Sequence, residues 1–288
     1  MIDEQYINGT YFKRYSESSN NHLLFILPGQ SISPRGFWDF KLPEGKTHSE
    51  YFVEAGIDVI LFDPIGYGKS TEFYSYDRMG YAKQVNDVTD LLTKKYKSKT
   101  IVGFSSTTPV ALCSAEHGYF DKVILIGPNI VNKEMNEYLP DIDFFETNIE
   151  ILKQKRLKEI SEKIIPKSNR LPNWEEALTE ILVTNTSYNN GNWRVPGLMI
   201  NDRHNYWILN KSNGFDPKNI SLTKPILAMI SEYEVETPIS GQGLLLSLFP
   251  DTQIVSIPNS THFSMWENDC ATTRKFIIEY CNDETKVY

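Results

Sequence analysis

Six short runs along the chain are apolar almost without interruption, and each is bounded by turn residues. They are HLLFILP (22–28), DVILFD (58–63), TIVGFS (100–105), KVILIGP (122–128), PILAMIS (225–231) and TQIVSIP (252–258). Side chains alternate between the two faces of a strand, so a run that is apolar throughout predicts a strand covered on both faces. Between these runs the period changes to that of a helix. GYAKQVNDVTDLLTKKY (80–96) places Tyr81, Val85, Val88, Leu91 and Leu92 at helical spacing. TPVALCSAE (108–116) opens on Thr108 and Pro109, a capping residue and a first-turn proline. GQGLLLSLF (241–249) and CATTRKFIIEYC (270–281) complete the alternation. Strand alternating with helix predicts an α/β fold, a mostly parallel sheet with helices on both faces. Only the beginning differs: YINGTYFKRYS (6–16) reads as an antiparallel hairpin turning at Asn8-Gly9.

The rhythm fails between about residues 130 and 221, which hold no buried-strand pattern and much charged amphipathic helix, such as FETNIEILKQKRLKEISEKII (145–165). Two arrangements fit: a helical cap inserted over one end of the sheet, or helices packed at the sheet's side. The cap is the expectation, because a long insertion in a regular α/β chain usually carries function. The core domain would then comprise residues 1–129 and 222–288, with 130–221 as the cap.

Composition narrows the partners. The 288 residues are 40% hydrophobic and 23% charged, with a net charge of −8 and a pI near 5.3, which fits a globular protein with a large core. The densest basic run, TKKYKSK (93–99), reads as a solvated helix end, so nucleic acid is not an expected partner. The acidic balance weakly disfavours polyanionic substrates. Three widely spaced cysteines, Cys113, Cys270 and Cys281, form neither a disulfide framework nor a zinc site. MIDEQYING has neither the basic nor the apolar region of a signal peptide, and no window is long enough to span a membrane. A cytoplasmic protein is expected. The oligomeric state is not readable.

Two stretches carry chemistry. DPIGYGKS (63–70) ends like a nucleotide-binding P-loop, but Asp63 stands at the first glycine's place and Pro64 has no N–H to offer a phosphate. TIVGFSSTTPVAL is the informative one. A strand ends at Gly103-Phe104, Ser105 follows, and a helix begins almost at once. A serine in so tight a strand-to-helix turn is lifted into the open at the sheet's carboxyl edge, beside the unpaired N–H groups of a helix N-terminus.

At this point the chain resembles the α/β-hydrolase family, whose nucleophile elbow reads G-x-S-x-G. Here the elbow is Gly103-Phe104-Ser105-Ser106-Thr107, with Thr107 at the second glycine and Ser106 as the rival nucleophile. The resemblance extends along the chain in the family's order. PILAMISEYEVETP looks like the acid-bearing strand and loop, with Glu234 at the acid's place and Glu232 and Glu236 beside it. IPNSTHFSMWE looks like the histidine loop, with His262 just past the last strand. Leu27-Pro28-Gly29-Gln30 is similar to the family's His-Gly loop, with Pro28 in place of the histidine. DPIGYGKS is similar to its D-x-x-G-x-G-x-S loop, in which Asp63, Gly66 and Gly68 shape a structural turn and Lys69 and Ser70 need bind no ligand.

The resemblance implies a Ser-His-Glu triad of Ser105, His262 and Glu234, with an oxyanion hole from the backbone N–H groups of Gln30 and Ser106. It implies a serine hydrolase acting on a small to medium apolar ester or lactone, with no metal or organic cofactor required. Other triad enzymes of the fold (carbon–carbon bond hydrolases, lyases, acyltransferases) and a ligand-binding receptor with little turnover remain open. Phe37, Trp38, Phe104 and Trp266 are candidates for an apolar pocket wall, as are Trp174, Trp193, Tyr206 and Trp207 in the cap.

Overall fold

Asn8 and Gly9 both adopt left-handed backbone angles (φ 49° and 81°), which lets the two-residue turn follow the twist of the strands it joins. It links β1 (Ile2–Ile7) to β2 (Thr10–Tyr15) in antiparallel register, Ile7 opposite Thr10. The structure, a computed structural model, describes residues 1–27, 29, 38–63, 69–70, 78–92, 96–128, 165–174, 220–235, 237 and 239–283. Six further strands follow: β3 (His22–Ile26), β4 (Ile57–Asp63), β5 (Ser98–Phe104), β6 (Lys122–Ile126), β7 (Ile226–Tyr233) and β8 (Gln253–Thr261). They form one eight-stranded sheet ordered β1-β2-β4-β3-β5-β6-β7-β8. The hairpin joins it antiparallel, through β2 on β4, and every other pairing is parallel.

Five helices are described: α1 (His48–Glu54), α2 (Arg78–Asp90), α3 (Thr108–Glu116), α4 (Ile239–Leu248) and α5 (Cys270–Asn282). Their placement explains the unbroken apolar runs. Along β4, Val59 and Leu61 enter one buried cluster with Phe52 of α1 and Ile277 and Tyr280 of α5. Ile60 and Phe62 enter a second cluster with Val85 and Val88 of α2, Leu112 of α3 and Leu245 of α4. Each strand face thus has its own helical cover, as period-2 geometry requires.

The last strand departs from expectation. TQIVSIP reads as covered on both faces, yet Gln253, Ile254 and Ser256 are exposed, Ile254 at 47%. Among the described residues β8 is the last strand of the sheet and pairs with β7 alone, and an edge strand is less covered than a central one. Helix α1 has no counterpart in the sequence reading. Its signal is the capping box of Thr47 and Glu50: the Thr47 hydroxyl accepts the Glu50 N–H at 3.1 Å and the Glu50 carboxylate accepts the Thr47 N–H at 2.7 Å.

The decoy stretch after β4 is bound internally. The Asp63 carboxylate accepts the Lys69 N–H at 2.9 Å. The buried Ser70 hydroxyl donates to the Asp63 carbonyl and accepts the Tyr11 N–H at 2.7 Å. The Lys69 ammonium pairs with Glu4 at 2.8 Å and lies over the Tyr11 ring. Gly66 and Gly68 lie outside the described residues. So does the expected cap, residues 130–221, except for 165–174 and 220–221. The 165–174 segment buries Ile165, Leu171 and Trp174 in the core, and Asn268 donates its backbone N–H to the Asn169 carbonyl at 2.8 Å. Among the described residues no helix is long and apolar enough to cross a membrane.

Candidate active site

Three parallel strands deliver the three candidate side chains to one edge of the sheet. Ser105 follows β5, Glu234 follows β7 and His262 follows β8.

Ser105 sits in a 3-10 turn, Ser105–Thr107, that runs directly into α3. Its φ is 53°, a left-handed value that costs a side-chain-bearing residue energy and that clusters at functional turns. Gly103 permits the turn. A Cβ there would come within 2.8 Å of the Ala111 Cβ and 3.1 Å of the Thr107 carbonyl, so α3 packs against the strand at a distance only glycine allows. The residue at the second glycine's place is accommodated by folding back: the Thr107 hydroxyl lies 3.0 Å from both the N and the O of Phe104.

A bulge brings the acid and the base together. Ser231 pairs with Ile257 but Tyr233 pairs with Thr261, so β8 carries extra residues between the two pairings. Asn259 turns within the bulge at φ 50°, and its N–H is accepted by the Glu232 carboxylate at 2.8 Å. Beyond the paired Tyr233 and Thr261, Glu234 and His262 become neighbours. Glu234 Oε2 accepts a hydrogen bond from His262 Nδ1 at 2.8 Å, both side chains buried, and Glu234 Oε1 accepts the Thr237 N–H at 3.2 Å. A carboxylate accepting at Nδ1 leaves Nε2 unprotonated in the neutral ring, which is the acceptor a general base needs.

The surroundings of the imidazole are close. The ring of Phe104 lies 4.9 Å from that of His262. Gly127, at the end of β6 with φ 50°, lies beneath the pair: a Cβ there would fall 2.6 Å from His262 Nδ1 and 3.0 Å from Glu234 Oε2. The loop after His262 is closed by the buried Glu267, whose carboxylate accepts the Thr261 N–H at 3.0 Å and the Thr261 hydroxyl, and burial raises its pKa. Farther along the loop, Met265 offers its carbonyl to Nε2 of the fully buried His48 at 2.8 Å. Arg274 donates to His48 Nδ1 at 3.1 Å; burial and that guanidinium push the His48 pKa down to about 3.

Of the residues named from sequence, the fold thus joins Glu234 to His262, and His262 to the residue preceding Ser105. Glu232 serves the bulge instead. Gln30, Phe37, Glu236, Trp193, Tyr206, Trp207 and the Ser106 side chain lie outside the described residues. The aromatic candidates that the structure describes are buried. Trp38, Phe104 and Trp266 are 1%, 2% and 0% exposed and belong to the core, Trp266 stacked on Phe263 at 5.1 Å. Trp174 is core as well, packed edge-on to Trp266 at 6.2 Å. Of these four, Phe104 also lies against the His262 ring. Sequence reasoning missed Gly127 and the Thr107 hydroxyl. For Gly127 a signal existed, a glycine closing the run KVILIGP.

Similarity to known proteins follows this geometry. The structure resembles an esterase (EaEST) from Exiguobacterium antarcticum, with 19% identity, a TM-score of 0.66 and coverage of 95% of this chain and 96% of that one. It resembles the N-acyl homoserine lactonase AidH with 16% identity, a TM-score of 0.64 and 98% coverage of both chains. It also resembles a meta-cleavage product hydrolase (CumD) from Pseudomonas fluorescens IP01, with 15% identity, a TM-score of 0.63 and coverage of 95% and 94%. No curated protein matches the sequence. At these identities the likenesses establish the fold alone. The sequence itself matches the family model described as alpha/beta hydrolase fold over residues 36–269, most of its length, and the chain belongs to that family.

Proposed function

We propose that the protein is a serine hydrolase that cleaves a small to medium apolar carboxylic ester or lactone through an acyl-enzyme. The observation that carries the reading is the buried hydrogen bond between His262 and Glu234, at the same sheet edge as a serine held at positive φ.

The Ser105 hydroxyl attacks the carbonyl carbon while His262 Nε2 takes its proton. Glu234 holds the ring in the required tautomer and stabilises the imidazolium that forms. The negative charge that develops on the carbonyl oxygen is met by the backbone N–H groups of Gln30 and Ser106. Collapse of the tetrahedral intermediate expels the alcohol, which takes the proton from His262. Water then attacks the acyl-enzyme, losing its proton to His262, and release of the acid returns that proton to Ser105. The substrate enters between the sheet edge and the 130–221 insertion, where chain-length preference resides. An uncharged acyl group suits a base flanked by Phe104 and Phe263.

A panel of chromogenic esters of graded acyl length, together with lactones, tests this. The expected result is a burst of alcohol followed by slower turnover, both abolished in Ser105→Ala. Absence of turnover on every ester and lactone would overturn it and favour a carbon–carbon bond hydrolase or a ligand-binding receptor on the same fold.

A further inference from the structure

We propose that Thr107 is a positioning residue whose hydroxyl, acting through Phe104, sets the relative placement of nucleophile, base and oxyanion loop. The inference rests on the hydrolase reading above and concerns the position at which this chain departs from the elbow's glycine.

The Thr107 side chain is buried, 5% exposed, and its Oγ1 lies 3.0 Å from both Phe104 N and Phe104 O. A hydroxyl has one proton to give and two lone pairs to offer. It therefore accepts the Phe104 N–H and donates to the Phe104 carbonyl, holding both peptide groups that flank the Phe104 Cα. Glycine at 107 has no side chain to do this, so the substitution adds a restraint to the elbow.

Phe104 is the residue through which that restraint spreads. Its carbonyl belongs to the peptide that leads into Ser105, which is held at φ 53°. Its ring lies against the imidazole of His262, with centroids 4.9 Å apart and planes inclined by 32°. On another side the ring abuts Gly29 so closely that a Cβ on Gly29 would overlap it. Gly29 immediately precedes Gln30, the proposed donor of the oxyanion loop. One small hydroxyl thus governs a residue that touches the chain at all three parts of the site. Rotation of Phe104 would carry the Ser105 backbone one way and release the packing on His262 and Gly29 together.

The test compares Thr107→Val, which keeps the branched shape and removes both hydrogen bonds, with Thr107→Ser, which keeps them. The rate constant for labelling by a fluorophosphonate is measured alongside the fraction of molecules that label at completion. Thr107→Ser is expected within about twofold of the parent rate constant, and Thr107→Val slower by about tenfold or more. A role in folding alone would lower the labelled fraction and leave the rate constant of the folded molecules unchanged. Equal rate constants for Thr107→Val and the parent would therefore overturn the inference. Thr107→Ala, which relieves the packing, carries the same expectation if the valine variant does not fold. Failure of the parent itself to label would overturn the hydrolase reading, and this inference with it, a result distinct from equal rates.

Discussion

His262 Nδ1 donates to Glu234 Oε2 at 2.8 Å across a separation of 28 residues. The contact depends on the bulge in β8, which aligns Thr261 with Tyr233 so that the next residue of each strand projects beside the other. The adjacent carboxylate of Glu232 is committed to the Asn259 N–H. Two acids two residues apart therefore have different duties.

Substitution separates them. Glu234→Gln is expected to lower kcat on an ester by about 10²–10⁴-fold, through loss of the tautomer and of the charge that stabilises imidazolium. Glu232→Gln weakens one exposed hydrogen bond and is expected to leave kcat within about threefold, with a stability loss of about 1 kcal/mol. Steady-state kinetics and urea denaturation of the two variants check both statements. Equal effects on kcat would show that the acid is misassigned.

Gly127 makes a second prediction. Alanine there would need a left-handed backbone, at about 1–2 kcal/mol, and would place its methyl 2.6 Å from His262 Nδ1. Displacement of the imidazole by a fraction of its size is expected to cost about 10²-fold in kcat. The thermal midpoint should fall only by the amount that the backbone strain accounts for. A variant with unaltered kcat would show that the pair has slack on this side.

Ser70 and Lys69, the pair that resembles a phosphate cradle, serve the hairpin. Ser70→Ala removes a buried hydroxyl that bonds the Asp63 carbonyl and the Tyr11 N–H, and is expected to destabilise the protein by about 1–3 kcal/mol. Lys69→Ala removes an exposed ion pair with Glu4, worth less than about 1 kcal/mol. Neither substitution should change ester kinetics beyond the loss of folded protein, and calorimetry with ATP should show no heat of binding.

His48 gives stability a pH dependence. Its pKa falls from 6.5 to about 3 on folding, because burial and Arg274 disfavour the charged ring. The unfolded chain takes up a proton below pH 6.5 that the folded chain refuses until about pH 3. The stabilisation is whole above 6.5, declines as pH falls through that window, and changes by at most about 1.4 kcal/mol per pH unit. Urea midpoints from pH 7 to pH 4 should therefore decline less steeply in His48→Gln. Parallel slopes would remove His48 from the account of acid stability.

Much of this fold is written in local pattern. The runs that became β3 to β7 are apolar because helices cover both faces, and that cover is legible from one strand at a time. β8 was harder, since its run looks like the others while its edge position depends on where seven strands have gone. The tight turn at Ser105 was legible from the strand-to-helix junction and Gly103, because both express a local steric requirement. Glu234 was chosen by its place in the loop, but the bulge that sets it beside His262 and commits Glu232 to Asn259 forms between distant segments and is not written in either one. The inward orientation of Trp38 and Trp266 is likewise a matter of tertiary packing that no spacing encodes. Thr107 stood out only as a missing glycine; its bonds to Phe104 require the turn to exist first.

The most direct measurement is mass-spectrometric mapping of a fluorophosphonate adduct on the parent protein, Ser105→Ala and His262→Ala. The expected adduct lies on Ser105 of the parent and is absent from both variants over the same exposure. An adduct on Ser106, or undiminished labelling without His262, would contradict a nucleophile at 105 activated by the imidazole at 262.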